Sequence, residues 1–286
     1  MLSAWRCSTE RTDDHLMKVA LIPPISLLRE FGQGKFHLLL SHLVDNDLYW
    51  NHYKEQRRRG AYLILDNSAH EYGEGTDGLD LLKKGKELYA QELVVPDVLF
   101  DHWGTLKRAS NTLNLWTKNT RIRNQFLKLN PRLMFVPQGN SPEEWASCLE
   151  SLCVLYKKSV RFHPSMKHGF VIGVSKDYES WDGGLPYLFK KYLIPMRQQY
   201  RFQVHLLGWG RKITELAYLQ KTHPWIRSVD SAKPFVYGIN EIEIHFNSIP
   251  EYPGRPQGYF FMDGFTEEMK RCMRFNVSIF KETAGA

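Results

Sequence analysis

Several stretches of the chain run apolar and then stop on a group that can do chemistry. "AYLILDNSAHEYGEG" (61–75) drives five apolar or aromatic residues into Asp66, Asn67 and Ser68. "ELVVPD" (92–97) ends on Asp97, "LMFVPQG" (133–139) on Gln138 and Gly139, and "IRSVDS" (226–231) on Asp230 and Ser231. Two carboxylates brought to one electrophilic carbon can divide the work of nucleophile and proton-transfer group. The same residue types also cap helices and support turns. Asp230 could cap a following turn, and Asn67 and Ser68 could serve only the turn after Asp66. In "PDVLFD" the acid could be Asp97 or Asp101; Asp97 is favoured because the apolar run ends there.

For these groups to meet, the elements before them must converge. Eight short apolar runs recur: 17–24, 36–42, 62–68, 92–97, 133–139, 170–175, 202–209 and 226–231. They are near-continuous rather than alternating, which predicts strands buried on both faces of a parallel sheet. Helical segments fall between them. Residues 76–90 start with Thr76 as cap and carry leucines at helical spacing; 140–158 has Ser141 as cap, Pro142 in the first turn and Glu144 three after Ser141; 210–223 is a third. This alternation predicts an α/β fold, a (β/α)8 TIM barrel, with an open doubly wound sheet as the alternative. The barrel domain is expected over 17–286, after a polar segment at 1–16. Residues 241–246, a Pro/Gly-rich stretch (250–258) and a final helix near 266–274 decorate the same domain. In a barrel the C-terminal strand ends share one rim, where active sites form.

Hydrophobic residues make up 43% of the 286, enough for a sizeable core. The net charge of +7 and pI of about 9.1 favour anionic partners, nucleic acid first. Cys7, Cys148, Cys153 and Cys272 form no CxxC pair, so neither a zinc site nor a disulfide framework is expected and a reducing compartment fits. His163 and His168 read as loop residues rather than metal ligands. The opening residues contain no apolar core of a signal peptide, and no run is long enough to span a bilayer, so a cytoplasmic protein without a membrane partner is expected.

Six of the strand ends resemble, in order, motifs of the tRNA-guanine transglycosylase superfamily. "LILDNSAHE" is similar to its Asp-Ser-Gly-Gly-Phe-Gln, "ELVVPD" to a strand ending in Phe-Asp, and "FVPQGN" to Val-Gln-Gly-Gly. "VIGVS" resembles Gly-Gly-Leu-Ala, "VHLLGWG" resembles Tyr-Leu-Met-Gly-Val-Gly, and "RSVDSAKP" resembles Phe-Asp-Cys-Val-Leu-Pro. The resemblance covers about residues 60 to 235, and its wording is nearest the DpdA-type DNA-guanine transglycosylases of bacteria and phages.

That resemblance implies exchange of guanine in a nucleic acid for a 7-deazaguanine, such as 7-cyano-7-deazaguanine (preQ0), by two displacements at C1′. The logic is that of a retaining glycosidase, and no cofactor is required. Asp230 aligns with the nucleophile and Asp66 with the general base. Asp97 aligns with the acceptor of the guanine N1 and N2 edge, and Gln138, with Gly139 beside it, with the donor to O6. Asn67, Gly173, Val174, Leu207 and Gly208 align with base-binding positions, and Arg211 and Lys233 with contacts to substrate phosphates. His70, Tyr72 and Trp209 are candidate stacking or gating groups, with ordinary packing the favoured role. The reacting nucleotide must be flipped or unpaired. The superfamily's Cys-x-Cys-x-x-Cys zinc stretch is absent, and Asn-Ser-Ala-His replaces the glycines after Asp66. Loss of the zinc module favours DNA over tRNA. A tRNA enzyme without that module and a non-catalytic nucleic-acid-binding barrel remain alternatives. An oligomer is possible. Arg57–Arg59, Lys190, Lys191 and Lys212 are further basic groups that could hold the substrate.

Overall fold

The computed structural model describes residues 17–118, 131–162, 169–209, 213–246 and 251–286, without the side chains of 160–162. The N-terminal segment 1–16, His163, His168, Arg211 and Lys212 lie outside the described residues.

All eight apolar runs are strands: β1 (Lys18–Leu21), β2 (Phe36–Leu40), β3 (Tyr62–Asp66), β4 (Glu92–Val94), β5 (Arg132–Phe135), β6 (Phe170–Ser175), β7 (Gln203–Leu207) and β8 (Ile226–Ser231). Every ladder is parallel, and the order runs β1-β8-β7-β6-β5-β4-β3-β2. β1 also packs beside β2, so the sheet curls into a nearly closed (β/α)8 barrel. Burial on both faces explains the unbroken apolar wording: every residue of β2 is buried, as are five of the six in β6.

Each strand leads into a loop at the C-terminal rim, and most of these loops feed a helix that runs back outside the barrel. The helix Pro142–Phe162 starts as its sequence predicts. Ser141 Oγ accepts from the Glu144 N–H at 3.2 Å, and Glu144 Oε2 reaches back to the Asn140 N–H at 2.8 Å. The helix Gly78–Glu87 starts differently. Asp77 caps it, accepting from Leu79 and Asp80, while the Thr76 hydroxyl binds Asn67 O and Ser41 Oγ instead. Three further elements, Asp47–Arg58, His102–Lys118 and the segmented run from Gly184 to Tyr200, complete most of the outer layer. The last helix is longer than its sequence suggests, Glu267–Ala284, and packs on Lys233–Ile239 and Ile213–Thr222.

Polar groups plug the N-terminal end of the barrel. Arg227, near the start of β8, donates to both Glu92 oxygens at 2.7 and 2.8 Å, and the Tyr62 hydroxyl adds a bond of 2.8 Å. Burial pushes Glu92 upward, but the guanidinium outweighs it and holds the carboxyl below the usual range. The segment 251–262 crosses the opposite end near β1. Tyr259 donates to Ile22 O at 2.6 Å and Ser26 to Met262 O at 2.7 Å, which fastens it there.

Candidate active site

Parallel pairing sets the height of the acids. Asp66 lies level with Leu40, and Asp230 with Ala20, at the top of their strands. Both open into one cavity of about 420 Å³ at the C-terminal rim, within the range usual for small-molecule sites. Asp97, Asn67, Gln138, Leu207, Gly208 and Lys233 line the same space. Eight of the sequence-derived site residues are thus brought together.

Three are not on its wall. Gly139 packs behind Gln138, where a Cβ would come within 2.5 Å of the Trp145 nitrogen at the start of the next helix. Gly173 and Val174 stand level with His205 and Leu206 in the β6–β7 ladder, and Val174 is fully buried. A Cβ on Gly173 would meet Leu207 Cδ1 at 2.8 Å, so this glycine makes room for the cavity floor rather than offering a contact. At this strand the cavity is lined instead by Ser175, Lys176 and Asp177.

Asp66 bears a raised pKa. Burial is the largest cause, with the Glu71 carboxylate next and Asp97 and Asp230 adding to it; the Ser68 N–H, which donates to Asp66 Oδ2 at 2.8 Å, opposes them. The group therefore tends to hold a proton. Ser68 pays for that turn with a left-handed backbone, φ 61°, uncommon for a residue with a side chain.

Asp97 is 2% exposed, and burial pushes it up to about 6 despite two amide donors. Asn67 Nδ2 gives one hydrogen to Asp97 Oδ1 at 2.7 Å and the other to Val95 O, while its oxygen accepts from Ala69 N. All the donors of Asn67 are in use, so its part is to hold Asp97 rather than to touch a ligand. Gln138 donates to Asp97 Oδ2 at 2.5 Å, and its oxygen accepts from Tyr178 and from the Phe100 N–H. That fixes the amide orientation and leaves its second hydrogen for a ligand. Asp101, the alternative acid, is exposed and caps the helix His102–Lys118 through Gly104 N at 2.9 Å.

Asp230 does not cap the turn after β8; Ser231 does, through Lys233 N at 3.1 Å. The Asp230 carboxylate instead accepts the Gly208 N–H on both oxygens at 3.1 Å, and Oδ1 also contacts His205 Nε2 at 3.0 Å. The positive φ of Gly208, 64°, turns its N–H towards the carboxylate.

Sequence reasoning missed His205, Ser175, Lys176, Asp177, Glu71, Tyr252 and Arg255. His205 carried a signal, an ionisable group at the centre of the apolar run "FQVHLLGW". Tyr252 and Arg255 come from the 251–262 segment, which has no strand pattern. Arg255 pairs with Glu71 at 3.0 Å and lies over Phe260, so this segment closes one side of the mouth. Lys233 stands with its ammonium 5.3 Å from the Tyr252 ring centre. His70 lines the mouth, Tyr72 is exposed and not on the cavity wall, and Trp209 is fully buried in the core. Arg57–Arg59 end a helix just before β3, at the N-terminal end of the barrel and away from the cavity. Lys191 is engaged by Glu143 and Tyr187 on the outer layer. Cys148 packs under Gln138, its thiol pushed up to about 12 by burial. Among the described residues no group of three His, Cys, Asp or Glu side chains could hold a metal ion, and no helix is long and apolar enough to cross a membrane.

Fold and site together define a (β/α)8 barrel with an acid-lined cavity at its C-terminal rim. No protein-family model matches the sequence, and no curated protein matches it. Among solved structures, it is similar to the carboxyl transferase domain of Rhizobium etli pyruvate carboxylase with pyruvate, at 10% identity and a TM-score of 0.48. That match covers 96% of this chain and 49% of the other, so the chain spans about half of that protein's length. Fructose-bisphosphate aldolase from Campylobacter jejuni is similar at 9% identity and a TM-score of 0.45, over 94% of this chain and 87% of that one.

Proposed function

We propose that the chain is an enzyme, a DNA-guanine transglycosylase that replaces guanine with a 7-deazaguanine, preQ0 or a relative. The observation that carries this reading is the convergence of Asp66, Asp97 and Asp230, from three separate strands, on one cavity. Asp230 is the nucleophile. Its carboxylate forms a bond to C1′ as the C1′–N9 bond breaks, and Asp66 gives its proton to the departing guanine. The raised pKa of Asp66 suits that first role. The incoming deazaguanine then attacks C1′ through N9, returns a proton to Asp66, and releases Asp230. Two inversions retain the sugar configuration, as in retaining glycosidases.

Asp97 and Gln138 read the base. A fixed carboxylate accepts from the N1–H and N2–H of guanine and rejects adenine, which lacks both donors in that arrangement; the free hydrogen of Gln138 Nε2 suits O6. Lys233 is a phosphate contact at the cavity wall; Arg211 is a second candidate from the sequence.

The test is release of radiolabelled guanine from DNA or tRNA incubated with the protein and preQ0. Release from DNA, lost in Asp230→Ala, is expected. Release from tRNA alone would replace DNA as the substrate. Binding of DNA without release from either would reduce the molecule to a binding barrel.

A further inference from the structure

A column of buried polar groups climbs the barrel interior from its plugged end to the cavity. Arg227, bound to Glu92, also donates through Nε to Ser228 Oγ at 3.2 Å. Ser228 Oγ lies 2.7 Å from His205 Nδ1, and His205 Nε2 lies 3.0 Å from Asp230 Oδ1. Ser228 and His205 are fully buried. The hydrogen positions follow from the partners. An ionised Asp230 only accepts, so Nε2 carries the ring proton. In the singly protonated ring Nδ1 is then an acceptor and receives the hydrogen bond of the Ser228 hydroxyl. The guanidinium supplies the Ser228 oxygen with a donor, so its hydroxyl hydrogen is free to point at the ring.

We propose that His205, held in one tautomer by Ser228, is the positioning residue of Asp230, and that it selects which carboxylate oxygen reacts. This rests on the transglycosylase reading of the cavity. Oδ1 accepts from both His205 at 3.0 Å and Gly208 at 3.1 Å, whereas among the described residues Oδ2 accepts only the same Gly208 N–H, also at 3.1 Å. Oδ2 therefore retains the more available lone pairs, and it is the atom that bonds to C1′. When the second base attacks, the C1′–Oδ2 electron pair returns to the carboxylate, and the Nε2–H already in place on Oδ1 stabilises the charge that develops. No proton leaves His205 in either step.

Histidine substitutions and nitrogen NMR of the whole chain test this. In wild-type protein, ¹⁵N shifts should report a neutral His205 ring protonated at Nε2, with Ser228→Ala mixing the tautomers. His205→Leu, which fills the space without a donor, should lower kcat for guanine exchange about 100-fold, in line with loss of one preorganised donor. Its KM for DNA should stay within about twofold, since the donor acts on developing charge rather than on substrate binding. His205→Gln, which can restore an N–H towards Asp230, should recover much of the loss. A purely structural role would lower the melting temperature of both variants and leave kcat per folded molecule alike in leucine, glutamine and wild-type chains; that overturns the proposal. An Nδ1-protonated ring in wild-type protein also overturns it. If the wild-type chain shows that Nε2 tautomer yet releases no guanine from any nucleic acid, the transglycosylase reading falls first, and the assigned role falls with it.

Discussion

In the proposed reaction Asp97 must be ionised to accept two hydrogen bonds from guanine, and burial pushes its pKa up to about 6. The sign is therefore set. Above that value the carboxylate is charged and can read a base edge; as pH falls through it, the group takes a proton and offers a donor where the proposed reading needs an acceptor. KM for guanine-containing substrate should rise about tenfold per pH unit below about 6. For folding the direction is opposite, because a raised acid contributes stability that is present at low pH and lost as pH rises through its folded value. An acid-side rise in KM without loss of the fold is thus expected in a pH series with melting curves run in parallel. A flat KM from pH 7 to 5 would remove Asp97 from base recognition. Among residues, the sequence made Asp97 legible because a buried run ended on it, and Asp101 separable for the same reason. It left the amide props less legible: Asn67 and Gln138 show their type, but which of their atoms are already occupied depends on a partner 30 and 41 positions away.

At the scale of elements, the β7 turn carries a second consequence. Gly208 adopts φ 64° and gives its N–H to Asp230, and a Cβ there would stand 3.3 Å from Lys176 Cδ. The lysine stem can yield, so backbone strain is the larger cost. Gly208→Ala should destabilise the chain by about 1 kcal/mol while slowing the proposed exchange more than that loss explains, because the turn that aims a donor at Asp230 relaxes. Melting temperature and exchange rate on the same preparation check it; an unchanged rate would mean that Asp230 does not depend on this turn. All eight strands were readable because burial on both faces leaves an apolar signature that needs no partner to interpret. The helix Asp47–Arg58 was not singled out, since its stretch "NHYKEQRRR" is dominated by polar residues and the helix buries only Tyr49, Tyr53 and Gln56, on a narrow face. The run from 184 to 200 is broken by a π-helical turn at Phe189–Leu193 and by Pro195, which blurs its period. The 251–262 segment has no period at all, and its place over the mouth comes from long-range contacts to Ile22, Ser26 and Glu71.

Over the whole molecule, the net charge of +7 says that an anion is attractive but not where it lands. The barrel topology supplies the missing direction. A helix that follows a strand starts at the rim of the cavity and ends at the far side, so the arginine run at 57–59 is carried to the plugged end, where Arg59 pairs with Glu55 and Arg57 donates to Tyr89 O. Lys233 begins the helix after β8 and stays on the cavity wall. If a nucleotide enters the cavity, the two groups must differ in how they affect salt-dependent binding. Each phosphate contact removed should reduce the slope of log K against log salt by about 0.9 on duplex DNA and about 0.7 on a single strand. Lys233→Met, which keeps the buried stem, should lower the slope by about one such contact. The triple change Arg57→Ala, Arg58→Ala, Arg59→Ala should leave it unchanged, although it removes three times the charge. Fluorescence titrations of a short guanine-containing oligonucleotide over a range of salt would measure both. The reverse pattern, a slope set by the arginines and indifferent to Lys233, would mean that nucleic acid rides on the plugged end. The acids at the other rim would then have to act on something else.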